Sequence, residues 1–182
     1  MKIISTFEIV EDSLLSVQYE GEKTNEFRRL FGLWNDPEYL FDFFSENFAD
    51  LGNEFWNGIT IEEAIDKTRI QAKKLESKIY ELALTGKMSN NNLSEYFEPL
   101  YKAETGKKLE RDKGKGLEKG NWLRLYAIRI DKNFFVISGG AIKLTKKMEI
   151  RTHTAKELEK LDITRKYCDD SEDENIEYYT SI

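Results

Sequence analysis

Between residues 124 and 153 the chain gathers Arg124, Lys143, Lys146, Lys147, Arg151 and its one histidine, His153. Clustered cations are what a phosphodiester backbone demands, and an aromatic neighbour such as Tyr126 adds a platform on which a base can stack. His153 is suited by its unperturbed pKa, near ~6.5, to take and give a proton at neutral pH. It stands just past the cationic run at the expected start of a helix, where the positive end of the dipole lowers that pKa. Each residue has an ordinary structural alternative. Cations solvate strand ends, a strand tyrosine beside Trp122 packs in a core, and a histidine at a helix entry holds a structural hydrogen bond.

Other chemistries find no support in residue types. A single cysteine, Cys168, and a single histidine exclude a disulfide framework, a cysteine-based zinc site and any centre needing two imidazoles. No metal or cofactor is therefore expected. Gly114-Lys115-Gly116 lacks the spacing of a phosphate-binding loop, and the acids from Asp169 to Glu174 miss the ligand spacing of a calcium loop. Those acids raise the pKa of the neighbouring Cys168 thiol, which argues against a nucleophile there.

The elements that must position the cationic run follow from periodicity. With 182 residues, 40% apolar and 13% aromatic, the chain supports one real core. Residues 2–10 and 13–19 are β-branched and aromatic-rich around Glu11-Asp12, which predicts a hairpin. Thr24 or Asn25 caps a short helix carrying Phe27, Leu30, Phe31 and Trp34. Asp36-Pro37 opens another, with Tyr39, Leu40, Phe43, Phe44, Phe48 and Leu51 as its apolar stripe. Thr60-Ile61-Glu62-Glu63 is a capping box for a long helix to about Thr85, stopped at Gly86. Its apolar face offers a dimer surface. Asn90 to Leu100 suggests one more short helix, and 102–120, glycine-rich and basic without apolar periodicity, reads as a mobile loop. Two strands follow, 121–130 and 134–144, the first placing Trp122, Arg124, Tyr126 and Ile128 on one face. Gly139-Gly140 inside the second marks a bulge or a close approach by a backbone or ligand. Thr154-Ala155-Lys156-Glu157 is a capping box for a last helix to about Cys168. The expected class is α+β: an N-terminal β-hairpin, a helical middle section with one long helix, then antiparallel β-strands followed by a helix. Residues 1–168 form one domain and 169–182 a disordered acidic tail.

Net charge, −6 overall, is distributed unevenly: −9 over residues 1–100, +9 over 101–168 and −6 over 169–182. A basic segment beside an acidic tail suggests a phosphate partner and an internal competitor for it.

The run Leu123-Arg124-Leu125-Tyr126 through Gly140-Ala141-Ile142-Lys143-Leu144-Thr145-Lys146-Lys147, followed by a helix, resembles the C-terminal half of the RelE/ParE toxin superfamily, in particular its HigB-like branch. Arg124 matches the family's strand arginine; Gly140, Lys143, Thr145 and Lys147 match its second motif. Ala141 and Leu144 depart from the family's aromatic and second lysine. The resemblance covers about 50 of 182 residues. It implies an mRNA interferase, a metal-independent endoribonuclease often acting on ribosomes, held silent by a small antitoxin protein. Such cleavage transfers the 2′-OH onto the adjacent phosphate, so Arg124 and Lys143 are the expected phosphate stabilisers and His153 the proton carrier. Lys146, Lys147, Arg151 and Tyr126 would extend the RNA track. The alternative is a non-catalytic nucleic-acid- or protein-binding module whose acidic tail folds back on residues 143–151. Nothing near Met1-Lys2 resembles a signal peptide and no window approaches the ~18 apolar residues of a membrane span, so a cytoplasmic protein is expected.

Overall fold

The structure, a computed structural model, describes residues 1–52, 56, 58–118, 120–145 and 152–174, with the side chains of 155–170 in the last segment. The chain is α+β. Strands β1 (Ile3–Val10) and β2 (Leu14–Tyr19) form the expected hairpin. Helices α1 (Glu26–Asn35), α2 (Pro37–Glu46), α3 (Phe48–Leu51) and α4 (Ile61–Thr85) follow. After them come α5 (Leu93–Tyr96), β3 (Phe97–Pro99), a single 3-10 turn over Lys102–Glu104, β4 (Glu110–Lys115), β5 (Leu123–Asp131), β6 (Phe134–Ile142) and α6 (Thr152–Glu174).

The helix starts obey their caps. Asn25 accepts from the Arg28 N–H, Asp36 from those of Glu38 and Tyr39, and Thr60 and Glu63 form the reciprocal capping box. Phe48 departs from the expected stripe. The helix breaks at Asn47, and Phe48 is left 58% exposed.

Six strands form one sheet in the order β1-β2-β6-β5-β4-β3. All neighbours are antiparallel except β2 and β6, whose parallel ladder runs from Leu14 opposite Phe135 to Ser16 opposite Ile137. Helices α1, α2 and α4 cover one face, burying Trp34, Leu40, Phe44, Leu75 and Ile79 against Trp122, Leu125, Phe135 and Ile137. The other face packs Leu161 and Cys168 of α6 against Val17, Tyr126, Ile128 and Val136. The apolar face of α4, with Ala64, Ala72, Leu75, Ile79 and Leu82, is buried inside the chain, so it does not supply the expected dimer surface.

Three expectations are corrected. Residues 110–115, expected within a mobile loop, are a strand between β3 and β5. Its inward positions are Glu110, Asp112 and Gly114, and no apolar alternation announces them. Asp112 instead takes Nε and Nη2 of Arg129 at 2.9 and 2.6 Å, and Gly106 N–H donates to Glu110 at 2.8 Å. Burial pushes the Asp112 carboxyl up to about 7 against the pull of Arg129. Secondly, Trp122 precedes β5 and packs on the α4 side, its indole N–H donating to Thr68 at 3.0 Å, away from the face of Tyr126. Thirdly, α6 starts at Thr152 and continues through Asp169 and Asp170 to Glu174, so Thr154 lies within the helix and the first acids of the expected tail are helical.

Candidate nucleic-acid interface

Strand register decides which cations meet. Lys115 lies directly opposite Arg124 and Lys113 opposite Tyr126, while Glu98 of β3 lies opposite Lys113. Opposed residues share a face, so Lys113, Lys115, Arg124 and Glu98 stand on the α6 side of the sheet, at the end beyond Tyr126. Arg124 in turn pairs with Ala141, two residues before Lys143.

Each side chain is held in a particular way. Nη1 of Arg124 donates to the carbonyls of Asn121 at 3.0 Å and Leu123 at 2.6 Å, which fixes the guanidinium at the start of β5. Burial lowers its pKa, and the neighbouring Tyr126, Tyr96 and Glu98 act the other way. Nζ of Lys115 reaches Glu98 at 2.6 Å, with Lys113 at 3.9 Å. The Lys115 hydrogen bond is the main reason the Glu98 carboxyl sits below its usual range. Lys143 is half-buried, and its N–H donates to the Trp122 carbonyl at 2.7 Å, one step past the pair Leu123 and Ile142.

Of the residues expected in the site, Arg124 and Lys143 come to neighbouring strand ends. Tyr126 does not serve as a stacking platform: it is fully buried, and burial raises its pKa. The side chain of a strand residue facing the covering helix has no route to a base. His153 is the second residue of α6, its side chain outside those described; Lys146, Lys147 and Arg151 also lie outside the described residues. Lys113 and Lys115 were hidden from sequence reading because their strand was.

The glycine pair marks both a bulge and a close approach. The β5–β6 register slips between Tyr126 opposite Gly139 and Ala127 opposite Ile137, leaving Ser138 as the extra residue. The Gly140 N–H then donates to Oε2 of Glu157 at 2.8 Å. A Cβ on Gly139 would stand 1.9 Å from that same oxygen, and one on Gly140 would stand 2.6 Å from the Arg124 carbonyl. Glu157 is thus drawn into the sheet instead of closing a capping box with Thr154.

Around it lies a buried polar cluster that no hydrophobic periodicity announces. Nζ of Lys160 bridges Oε1 of Glu157 at 3.0 Å and Oε2 of Glu26 at 2.8 Å. Arg29 grips Glu26 with Nε at 2.6 Å and Nη2 at 2.9 Å. The Tyr19 hydroxyl lies 3.0 Å from the Ser138 carbonyl and 3.0 Å from Thr164 Oγ1. Burial raises the pKa of both Tyr19 and Glu157, the latter despite Lys160. The cluster sits where β2 and β6 part after Ser16 and Ile137.

Elsewhere, a groove of about 480 Å³ runs between α4 and the loop after β4, but Lys74 and Lys78 on its wall are paired with Glu118 and Glu81. Among the described residues no group of three or more His, Cys, Asp or Glu could hold a metal ion, and no helix is long and apolar enough to cross a membrane. The chain matches no protein-family model, no curated protein and no solved structure.

Proposed function

We propose that this is a RelE/HigB-like, RNA-directed protein that grips the phosphodiester backbone with Lys113, Lys115, Arg124 and Lys143 and cleaves it by internal transfer of the 2′-OH. One observation carries the reading: Lys115 directly opposite Arg124 in an antiparallel pair. Like charges so placed destabilise a sheet, and Glu98 offsets only part of the excess. A polyanion laid across the paired ends of β4 and β5 removes the repulsion and releases its counterions. Arg124 brings a guanidinium that remains charged at any working pH and is already oriented by two carbonyls. In cleavage, these cations balance the charge that builds on the phosphate, and His153 at the start of α6 is the proton carrier. A small antitoxin protein covering the same face, and action on ribosome-bound mRNA in the cytoplasm, belong to this proposal.

Folding of the acidic segment back on the basic face is the weaker reading. Asp169 and Asp170 lie in α6, roughly 20 Å along the helix axis from Glu157 and the Gly140 end of the sheet.

The test is binding of single-stranded RNA across a salt series, with RNA integrity followed in parallel. Lys115→Ala with Arg124→Ala should reduce the log–log salt slope by about 1.4, roughly 0.7 for each phosphate contact on a single strand, and abolish cleavage. Replacing the scissile ribose by deoxyribose should leave binding but end cleavage. A slope unchanged by the double substitution would sink the proposal.

A further inference from the structure

We infer that Glu157 is a positioning residue: by accepting the Gly140 N–H it seats the first turns of α6, and His153 with them, over the strand end that carries Arg124 and Lys143. The inference rests on the phosphate-binding reading above and assigns a second part of the same site.

The direction of α6 follows from its contacts. Glu157 meets Gly140, whereas Lys160 and Thr164 meet Tyr19 and lie by Ser138. The helix therefore runs back along β6, and residues before 157 lie toward the strand's C-terminal end. His153 precedes Glu157 by four residues, about one turn or ~6 Å along the helix axis. One step beyond Gly140 on the strand is Ala141, the partner of Arg124, and Lys143 is two further on.

The seat is built for this carboxylate. A Cβ at 139 would stand 1.9 Å from Oε2 of Glu157, so any larger residue there must push the carboxylate out of its seat. Both carboxylate oxygens are held, one by Gly140 and one by Lys160, which is itself tied to Glu26. The charged and titratable groups facing it come from every packed element: Glu26 and Arg29 of α1, Tyr19 of β2, Tyr39 of α2, Tyr126 of β5 and Lys160 of α6. Apolar residues of similar volume usually attach a helix as well or better than a buried ion pair. What the charged seat adds is a single register, since a hydrogen bond to one N–H cannot slide as an apolar contact can.

His153 is the only histidine, so its imidazole gives one unambiguous proton signal. The probe is an RNA oligonucleotide carrying 2′-O-methyl riboses, which binds without being cut. In the wild type the His153 signal should shift on addition of RNA. Gly139→Ala and Glu157→Leu should retain RNA affinity and its salt slope, yet lose that shift, and backbone amides 152–157 should exchange about tenfold faster or more. Glu157→Gln, which keeps an acceptor for Gly140, should restore most of both. Should Gly139→Ala prove unfolded by circular dichroism, the Leu and Gln variants decide alone. An undiminished His153 shift and unchanged exchange in Glu157→Leu would overturn the inference, as would a Gln variant no better than Leu. Failure of the wild type to bind RNA would instead count against the proposed function, and amide exchange in the free protein would still judge Glu157.

Discussion

The two faces of the sheet are sealed by different chemistry. Under α1, α2 and α4 the contacts are mainly aromatic: Phe97 stacks on Phe135 at 4.8 Å, Trp56 meets Trp122 edge-on at 4.9 Å, and Phe44 lies 5.5 Å from Trp122. The ammonium of Lys67 closes this layer, 4.4 Å above the Trp122 ring. Under α6 the centre of the contact is Glu157, Lys160, Thr164 and Tyr19, joined to Glu26 across the gap between β2 and β6. Burial of apolar surface is strong but indifferent to small slides, whereas buried hydrogen-bonded charge is costly and tolerates one arrangement. The first face makes the fold; the second sets where α6 sits on it, next to the proposed phosphate site.

The contrast is best broken at Lys160. Lys160→Met leaves Glu26 and Glu157 buried without their shared cation and should cost about 3–5 kcal/mol in urea unfolding. The combined variant Glu26→Gln, Lys160→Met, Glu157→Gln should recover most of it; a loss under about 1 kcal/mol for Lys160→Met would mean the cluster is solvated and the contrast false. On the apolar face Leu40→Ala should cost about 3 kcal/mol, with the same value at pH 5 and pH 8, because only packing is lost.

A smaller, pH-dependent effect is expected at Asp112. The folded chain holds that carboxyl's proton more tightly than the unfolded chain does, so stability falls as pH rises from the ordinary carboxylate range towards about 7. Thermal melts of Asp112→Asn, which has no proton to lose, should show a flatter profile over that window. At the surface, Asp36→Ala should remove only about 1 kcal/mol, the worth of one helix cap.

The aromatic face was legible in the sequence because its signals are local. Asn25, Asp36 and the Thr60 box start helices by hydrogen bonds within three residues, and Leu75, Ile79 and Leu82 repeat with the helical period. What escaped depends on partners distant in the chain. Strand β4 hides because its inward Asp112 is satisfied by Arg129 rather than by apolar neighbours, and with it went Lys113 and Lys115. Glu157 reads as a capping glutamate until Gly140 competes for it. Tyr126 reads as a stacking residue until α6 covers it. Of the candidate site, Arg124 and Lys143 were visible as residue types, but the pairing of Arg124 with Lys115 required the register. Gly139-Gly140 alone announced from sequence that something approaches closely, without saying that it is a carboxylate.

The parallel ladder between β2 and β6 has a consequence for how the chain is made. It joins Leu14–Ser16 to Phe135–Ile137, and the Ser13 hydroxyl reaches the Asn133 carbonyl across 120 residues. At ribosomal speed, about 5–20 residues per second, the first hairpin waits on the order of ten seconds for the strand that completes it. Until then the inner edge of β2, Leu14 and Leu15 included, offers unpaired backbone and apolar side chains to whatever is near. Closing that ladder late is also an entropic cost that only the finished sheet offsets, so folding should be slow for a chain this rich in helix.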